Sequence, residues 1–321
     1  MKTILYTKFG PPEVLELQDV EKPSPKESEV LVRVHATSIN ALEWRRFTLP
    51  KIFVRLLSGG LWEPKDKTLG ADFAGHVEGV GPGVTKFKPG DEVFGIRRGS
   101  FAEYVCAPEK LMAHKPANIS FADAAAVPLA ALTALQALRD QGNIKPGQDV
   151  AINGAGGGVG TFAVQIAKSY GTEVTAICGP KNQDIARSLG ADHVVDYTKE
   201  NCIKSGRKYD LILAANGYHS IFDYRRALKP NGVYVVAGGA MAQMFQALLV
   251  GTILSRTGNQ KFKGIMTRPN SEDLVFLKEL LESGKIVSVI DRTYPLSKTV
   301  EAMQYVLEGH VRGKVILTIG S

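Results

Sequence analysis

Apolar and polar residues alternate along residues 30–36 (VLVRVHA), as they do in a strand buried on one face. Residues 73–80 form another strand-like run, closed by Gly81-Pro82-Gly83. Lys88-Pro89-Gly90-Asp91 then opens a short strand over 92–95, and 101–107 (FAEYVCA) makes one more. Short strands punctuated by Gly and Pro predict a compact antiparallel barrel or sandwich over roughly the first 120 residues.

The period changes near Ser120, a fitting N-cap for the Ala- and Leu-rich helical stretch that follows, which Pro128 interrupts. Beyond Lys145-Pro146-Gly147, strands and helices alternate. Strands are predicted at 149–153, 173–178, 193–196, 209–214 and 233–237, and helices at 158–170 and 181–189. That alternation implies a parallel sheet covered on both faces. Helices at 271–282 and 298–308 precede a last strand at 314–319, which lies outside the series and is free to pair back with the first domain.

Residues 233–254 carry no charge, a length that raises the question of a membrane span. The β-branched run 233–237, the break at Gly238-Gly239, and Gln243 and Gln246 at helical spacing favour a buried strand followed by an apolar helix or lid.

The sequence Asn153-Gly154-Ala155-Gly156-Gly157-Gly158-Val159-Gly160 sits between a predicted strand and a predicted helix, as a dinucleotide-binding fingerprint requires. Of the three glycines of G-x-G-x-x-G, the second and third fall on Gly157 and Gly160, and Ala155 replaces the first. Gly157 lets the backbone approach a pyrophosphate, and Gly160 lets the helix pack on the sheet. The amides opening the helix, from Gly156 through Gly158 and Val159, then face the phosphates. An NAD site has an acid at the tip of the second strand. Here that tip reads Cys178-Gly179-Pro180-Lys181, so a ribose 2′-phosphate meets Lys181 and no carboxylate, which favours NADP(H) over NAD(H).

Bulk composition changes this picture little. At 321 residues, 44% hydrophobic and 22% charged, the chain suits two ordinary globular domains, and the formal charge of +7 is spread widely enough to argue against nucleic-acid binding. Three irregularly spaced cysteines support neither a disulfide framework nor a metal cluster and suit a reducing cytosol. The first residues lack the apolar core of a signal peptide. A cytoplasmic protein without a membrane or nucleic-acid partner is expected.

Several segments together resemble the medium-chain dehydrogenase/reductase superfamily, in its zinc-independent quinone oxidoreductase branch. They are SINALEWRR (38–46), LGADFAGHVEGVGPGV (69–84), FKPGDEVFG (87–95), FAEYV (101–105), AAAVPLAALTALQAL (124–138), the glycine loop, SLGADHVVDY (188–197) and GHVRGKVIL (309–317). The resemblance implies an α/β protein with a GroES-like β-rich catalytic domain (1–122 plus 262–321) and an inserted Rossmann domain (123–261). It also implies an NADP(H)-dependent reductase acting on a small carbonyl substrate, a quinone or an α,β-unsaturated carbonyl. Zinc-dependent relatives carry a Cys where this chain has Asn40 and a His where it has Ala71, and their four-cysteine lobe is missing, so no metal site is expected. His76 lies past the glycine and reads as a strand residue.

The resemblance implies that Asn40 and Thr133 lie near the nicotinamide and Tyr197 beside the adenosine phosphate, while Gly238 and Gly239 follow a sheet strand at its carboxyl end, where cofactors lie in such sheets. Each also has a plain structural reading: a turn residue for Asn40, a helix hydroxyl for Thr133, a packed ring for Tyr197. The segment 241–254, with Met244, Phe245, Leu248 and Leu249, suits a substrate wall or a homodimer contact equally. The rival functions are an NADP-dependent alcohol dehydrogenase and a non-catalytic NADPH-binding sensor.

Overall fold

The Gly- and Pro-punctuated strands of the first third of the chain form, and they pair antiparallel. A computed structural model describes residues 1–49, 54, 62–239 and 241–320. The chain divides into two units, the first comprising Met1–Leu129, Pro269–Gly284 and Ser288–Ser321, and the second Ala130–Arg268 and Lys285–Val287.

The first unit begins with a hairpin, β1 (Lys2–Tyr6) on β2 (Leu15–Asp19). Its main sheet follows with β3 (Glu29–Ser38), α1 (Ala41–Thr48), β4 (Asp72–Val80), β5 (Glu92–Ile96), β6 (Tyr104–Pro108) and β7 (Met112–His114). The strand predicted at 101–107 starts three residues late, because Ala102 bridges to Thr3 of β1 instead of joining β3. Ser120 caps α2 (Phe121–Ala126), accepting from Asp123 N at 3.1 Å, while Asp123 accepts from Ser120 N. Pro128 opens α3 (Pro128–Gln136), where its missing N–H leaves no bond unmade.

The second unit is built from β8 (Asp149–Asn153), α4 (Gly158–Ser169), β9 (Glu173–Cys178), α5 (Gln183–Ser188), β10 (His193–Asp196), β11 (Tyr209–Ala214), α6 (Ile221–Ala227), β12 (Leu228–Val236), α7 (Met241–Thr257) and β13 (Lys261–Gly264). The six strands are parallel in the order β10-β9-β8-β11-β12-β13. The helix predicted at 181–189 is a 3₁₀ turn, Pro180–Asn182, followed by α5. The uncharged stretch is a strand end and a helix, and no helix among the described residues is long and apolar enough to cross a membrane. Phe245 and Leu249 of α7 are exposed, and the side chains of Met244 and Leu248 lie outside the described ones.

The chain then returns to the first unit with α8 (Ser271–Glu282), β14 (Ile290–Pro295), α9 (Thr299–Leu307) and β15 (Lys314–Thr318). As its position outside the series suggested, β15 pairs back with β3, Ile316 opposite Ser38. The completed sheet runs β14-β15-β3-β4-β5-β7, with β6 also on β3, over a core that includes Val32, Phe73, Phe101, Met112 and Leu317.

That unit also holds charges. Asp72 (0% exposed), Glu43 (3%) and Lys314 (3%) are all buried. The Lys314 ammonium lies 3.6 Å from Asp72 Oδ2, and Glu43 accepts a 2.8 Å bond from Asn40 N at the head of α1. Burial pushes the Glu43 carboxyl up to about 7 against the pull of that backbone bond, with Asp72 adding to the rise and Lys314 opposing it. A carboxyl whose folded pKa lies above its unfolded value of 4.5 stabilises fully below pH 4.5, and that contribution is lost as pH rises to about 7. Glu43→Gln, which cannot ionise, should therefore gain on the wild type by about 3 kcal/mol between pH 4.5 and 8. Urea midpoints across that range test this, and parallel curves for the two proteins would refute it.

Candidate functional site

The carboxyl ends of the parallel strands carry the dinucleotide motif. The first helical bond of α4 runs from Thr161 N to Gly157 O at 2.9 Å. The amides of Gly158, Val159 and Gly160 are thus left as the donors of its opening turn, pointing where an anion would sit. The neighbouring glycines are needed for different reasons. A Cβ on Gly160 would stand 2.1 Å from Gly154 O, so glycine here permits close packing of helix and loop. On Gly157 the same atom would meet only Gly154 O, at 3.7 Å, so this backbone faces space in which a phosphate can approach. Gly156 lies against the side chain of Asn182, just before α5.

Around the loop, a cavity of about 260 Å³ is lined by Asn153 and Gly154 from the end of β8, Asn216 and Tyr218 after β11, and Tyr197 after β10. β8 and β11 are neighbours from which the chain winds in opposite directions, the place where such sheets bind ligands. Asn153 Oδ1 and Asn182 Oδ1 are buried here without a hydrogen-bond partner among the described residues, an arrangement that fits a polar ligand supplying the missing donors. Tyr197 is half-exposed, its ring 5.7 Å from that of Tyr218. Lys181 is exposed beyond the tip of β9 with no ion pair among the described residues, and no acid stands at that tip. The acid at the end of β10, Asp196, is committed to Thr198 and Gln183. Gly238 and Gly239 follow β12 and tie its end to the loop after β11, with Gly217 N donating to Gly238 O and Gly239 bridging Gly217. Asn182, Asn216 and Tyr218 were not singled out in the sequence, although their positions just beyond strand ends were the available signal, and Asn153 entered only as the first residue of the glycine motif.

The two residues expected near the nicotinamide fall in different units. Thr133, on α3 in the second, hydrogen-bonds Thr267 between hydroxyls at 2.7 Å, and Gln136 one turn later clamps the backbone of Arg268 from both sides. Asn40, in the first, N-caps α1. Its Nδ2 donates to Asp72 Oδ2 (2.9 Å) and to Ser38 O (3.3 Å), and its Oδ1 accepts from Lys314 Nζ (2.5 Å). Ser38 Oγ and Leu129 N also donate to Asp72. Both ends of the Asn40 amide are therefore engaged within the fold.

This arrangement does not fit a catalytic zinc ion. At the two positions the resemblance assigns to zinc ligands, Asn40 and the buried Ala71 offer only an amide and a methyl group, and an ammonium already holds the amide oxygen. His76 instead joins His35 on the neighbouring strand, ring nitrogens 2.9 Å apart. Among the described residues no group of three His, Cys, Asp or Glu side chains is placed to hold a metal ion.

Comparison with known proteins agrees with the fold. Residues 26–117 match the alcohol dehydrogenase GroES-like domain, and residues 189–317 match the zinc-binding dehydrogenase family. A chloroplast envelope quinone oxidoreductase homolog of Arabidopsis thaliana is 35% identical over 99% of this chain and 98% of its own length. A 2-methylene-furan-3-one reductase of Solanum lycopersicum is also 35% identical, over 99% of this chain and 79% of that protein. The solved quinone oxidoreductase of Coxiella burnetii superposes with a TM-score of 0.86 at 31% identity, covering 100% of this chain and 99% of the other. With a GroES-like domain and a six-stranded parallel sheet, the chain belongs to the medium-chain dehydrogenase/reductase superfamily, as a quinone oxidoreductase-like oxidoreductase.

Proposed function

We propose that this oxidoreductase passes a hydride from NADPH to a quinone or to the β-carbon of an α,β-unsaturated ketone or aldehyde, without a metal ion. The observation that carries this reading is the Lys314 ammonium, bonded to Asn40 and 3.6 Å from Asp72. The chain itself supplies the buried cation at the place where zinc-dependent relatives have a ligand. An alcohol dehydrogenase would need a Lewis acid to form its alkoxide, and these residues provide none. The names of the quinone and furanone reductases among the relatives support the same substrate class.

When bound, NADPH would supply the hydride. Residues 123–261 are the proposed cofactor domain, and 1–122 with 262–321 the proposed catalytic one. The amides of Gly158, Val159 and Gly160 would receive the pyrophosphate, with Gly157 giving it room and Gly156 beside it, closed against Asn182. Tyr197 would lie beside the adenosine phosphate, Lys181 would pair with the 2′-phosphate, and Gly238 and Gly239 would border the cofactor at the end of β12. Asn40 and Thr133 are the proposed polar contacts near the nicotinamide. Each is held by its own partners, so each serves as a fixed dipole and not as a mobile acid. Solvent provides the proton that neutralises the resulting hydroquinone anion or enolate.

Steady-state assays test the reading. NADPH oxidation with 9,10-phenanthrenequinone or an enone should proceed and be indifferent to chelators. Inhibition by chelation would restore the alcohol dehydrogenase, and tight NADPH binding without turnover over a carbonyl panel would leave a sensor. Lys181→Ala should raise KM for NADPH roughly fivefold to tenfold and leave weak NADH use unchanged; equal effects on the two cofactors would remove Lys181 from the 2′-phosphate. Gly157→Val should abolish binding of either cofactor in a fluorescence titration while its melting temperature holds. Gly160→Ala should instead lower the melting temperature, since its Cβ meets Gly154 O.

A further inference from the structure

The sheet of the first unit carries a titratable cluster that the proposed reaction does not use. β3 and β4 pair Val34 with Gly75 and Ala36 with Ala74, so His35 is the extra residue of a β-bulge. Gly75 permits the close approach, since a Cβ there would stand 2.0 Å from Arg33 O. The bulge turns His35 onto His76 of the neighbouring strand. His35 Nε2 and His76 Nδ1 are 2.9 Å apart, with the rings edge to face. Phe121, the first residue of α2, closes the group. Its ring stacks on His35 at 4.6 Å and 19° and lies 5.0 Å from His76.

The two nitrogens in contact share one hydrogen, so one ring donates and the other accepts. A first added proton leaves this bond intact. His76 Nε2 faces Glu92, 3.6 Å away on β5, and a charged His76 still donates from Nδ1 to His35. A second proton has to enter at His35 Nε2, where it sets N–H against N–H. The surroundings oppose it as well. Burial, His76 and Arg33 hold His35 below the ordinary histidine value, against a weaker pull from Glu92. After β7, Lys115 lies 3.1 Å from Glu92 and 5.2 Å from the centre of the Phe121 ring, so the cluster already faces a fixed cation. The remaining neighbours bring it no free acid. Asp123, in the first turn of α2, is bonded to Ser120, and Glu78 of β4 is paired with Lys22. β6 sets Tyr104 opposite Arg33, and β15 sets Thr318 opposite Ala36.

The pair pins one particular segment. Phe121 holds one end of residues 121–129, and Leu129 N, donating to Asp72 Oδ1 at 2.9 Å, holds the other. We propose that His35, His76 and Phe121 form an acid-opened latch. While the pair carries one added proton or none, α2 is closed on the sheet; the second proton parts the rings and frees the first turn of α2. The closed state keeps its full advantage above pH 6.5, the unperturbed histidine value, and loses it as pH falls through the lowered value of His35. The inference goes beyond the proposed reductase activity and does not rest on it.

Amide hydrogen exchange of the full chain from roughly pH 7 to 4.5, corrected for the intrinsic pH dependence of exchange, tests it. Protection of α2 should fall by up to about tenfold per pH unit below 6.5, the slope of one proton, while β3 and β4 stay protected. His76→Gln and, separately, His35→Gln each leave a single titrating ring beside an amide that offers it either a donor or an acceptor. In both variants the extra slope should vanish, with thermal melts at pH 7 showing each folded; if one does not fold, the other decides. The proposal is overturned by α2 protection that holds constant in the wild type, by protection lost in step from β3 and β4, or by a wild-type slope that persists in a folded variant.

Discussion

An ammonium withdrawn from water is unfavourable by several kcal/mol unless its surroundings return the lost solvation. Lys314 is placed to have it returned. It stands at the start of β15, whose neighbour β3 ends just before Ile39 and Asn40, and the next strand, β4, begins with Asp72. The ammonium reaches Ile39 O, Asn40 Oδ1 and the neighbourhood of the Asp72 carboxylate. Three adjacent strands are thus joined at one end by a single polar contact set, and α1 starts from it through Asn40 and Glu43. Removing any one member leaves the others buried and uncompensated.

The second unit solves a related problem with backbone. Its parallel strands end in loops whose amides and carbonyls have no strand partners, and those loops partly satisfy one another. Ala215 N and Asn216 N donate to Asn153 O, Ala237 N and Gly238 N to Ala214 O, and Gly154 N to Ile177 O. The strand ends therefore form a braced rim, and the opening turn of α4 is left as the place where donors face outward. Gly157 and Gly160 differ in what limits them: the first is bounded by the room a ligand needs, the second by the protein's own carbonyl.

Much of this was legible because period and punctuation agree locally. The Ser120 cap, Pro128 at a helix start, the glycine loop between a strand and a helix, and the closing strand at 314 all follow from short-range rules. The hairpin β1–β2 escaped notice although LELQD alternates apolar and polar positions, because the run is only five residues long and just one of its two leucines, Leu15, is buried. Lys314 escaped it for a deeper reason. A lysine at a strand end suggests a solvated tip, and nothing nearby in the sequence discloses carboxylates that lie far away in the chain. The same holds for Asn40, whose open alternatives were a turn and a cofactor contact. Its engagement with Lys314 and Asp72 depends on a partner 274 residues away.

That separation has a temporal side. During synthesis Asn40, Glu43 and Asp72 emerge early, and Lys314 follows 274 residues after Asn40, on the order of tens of seconds later. Until then the first unit has two acids to bury and no cation to set against them, while every strand of the second unit's sheet has already been made. The order of events is accordingly inverted relative to the order of the chain: the inserted segment can close first, and residues made before it must wait for residues made after it.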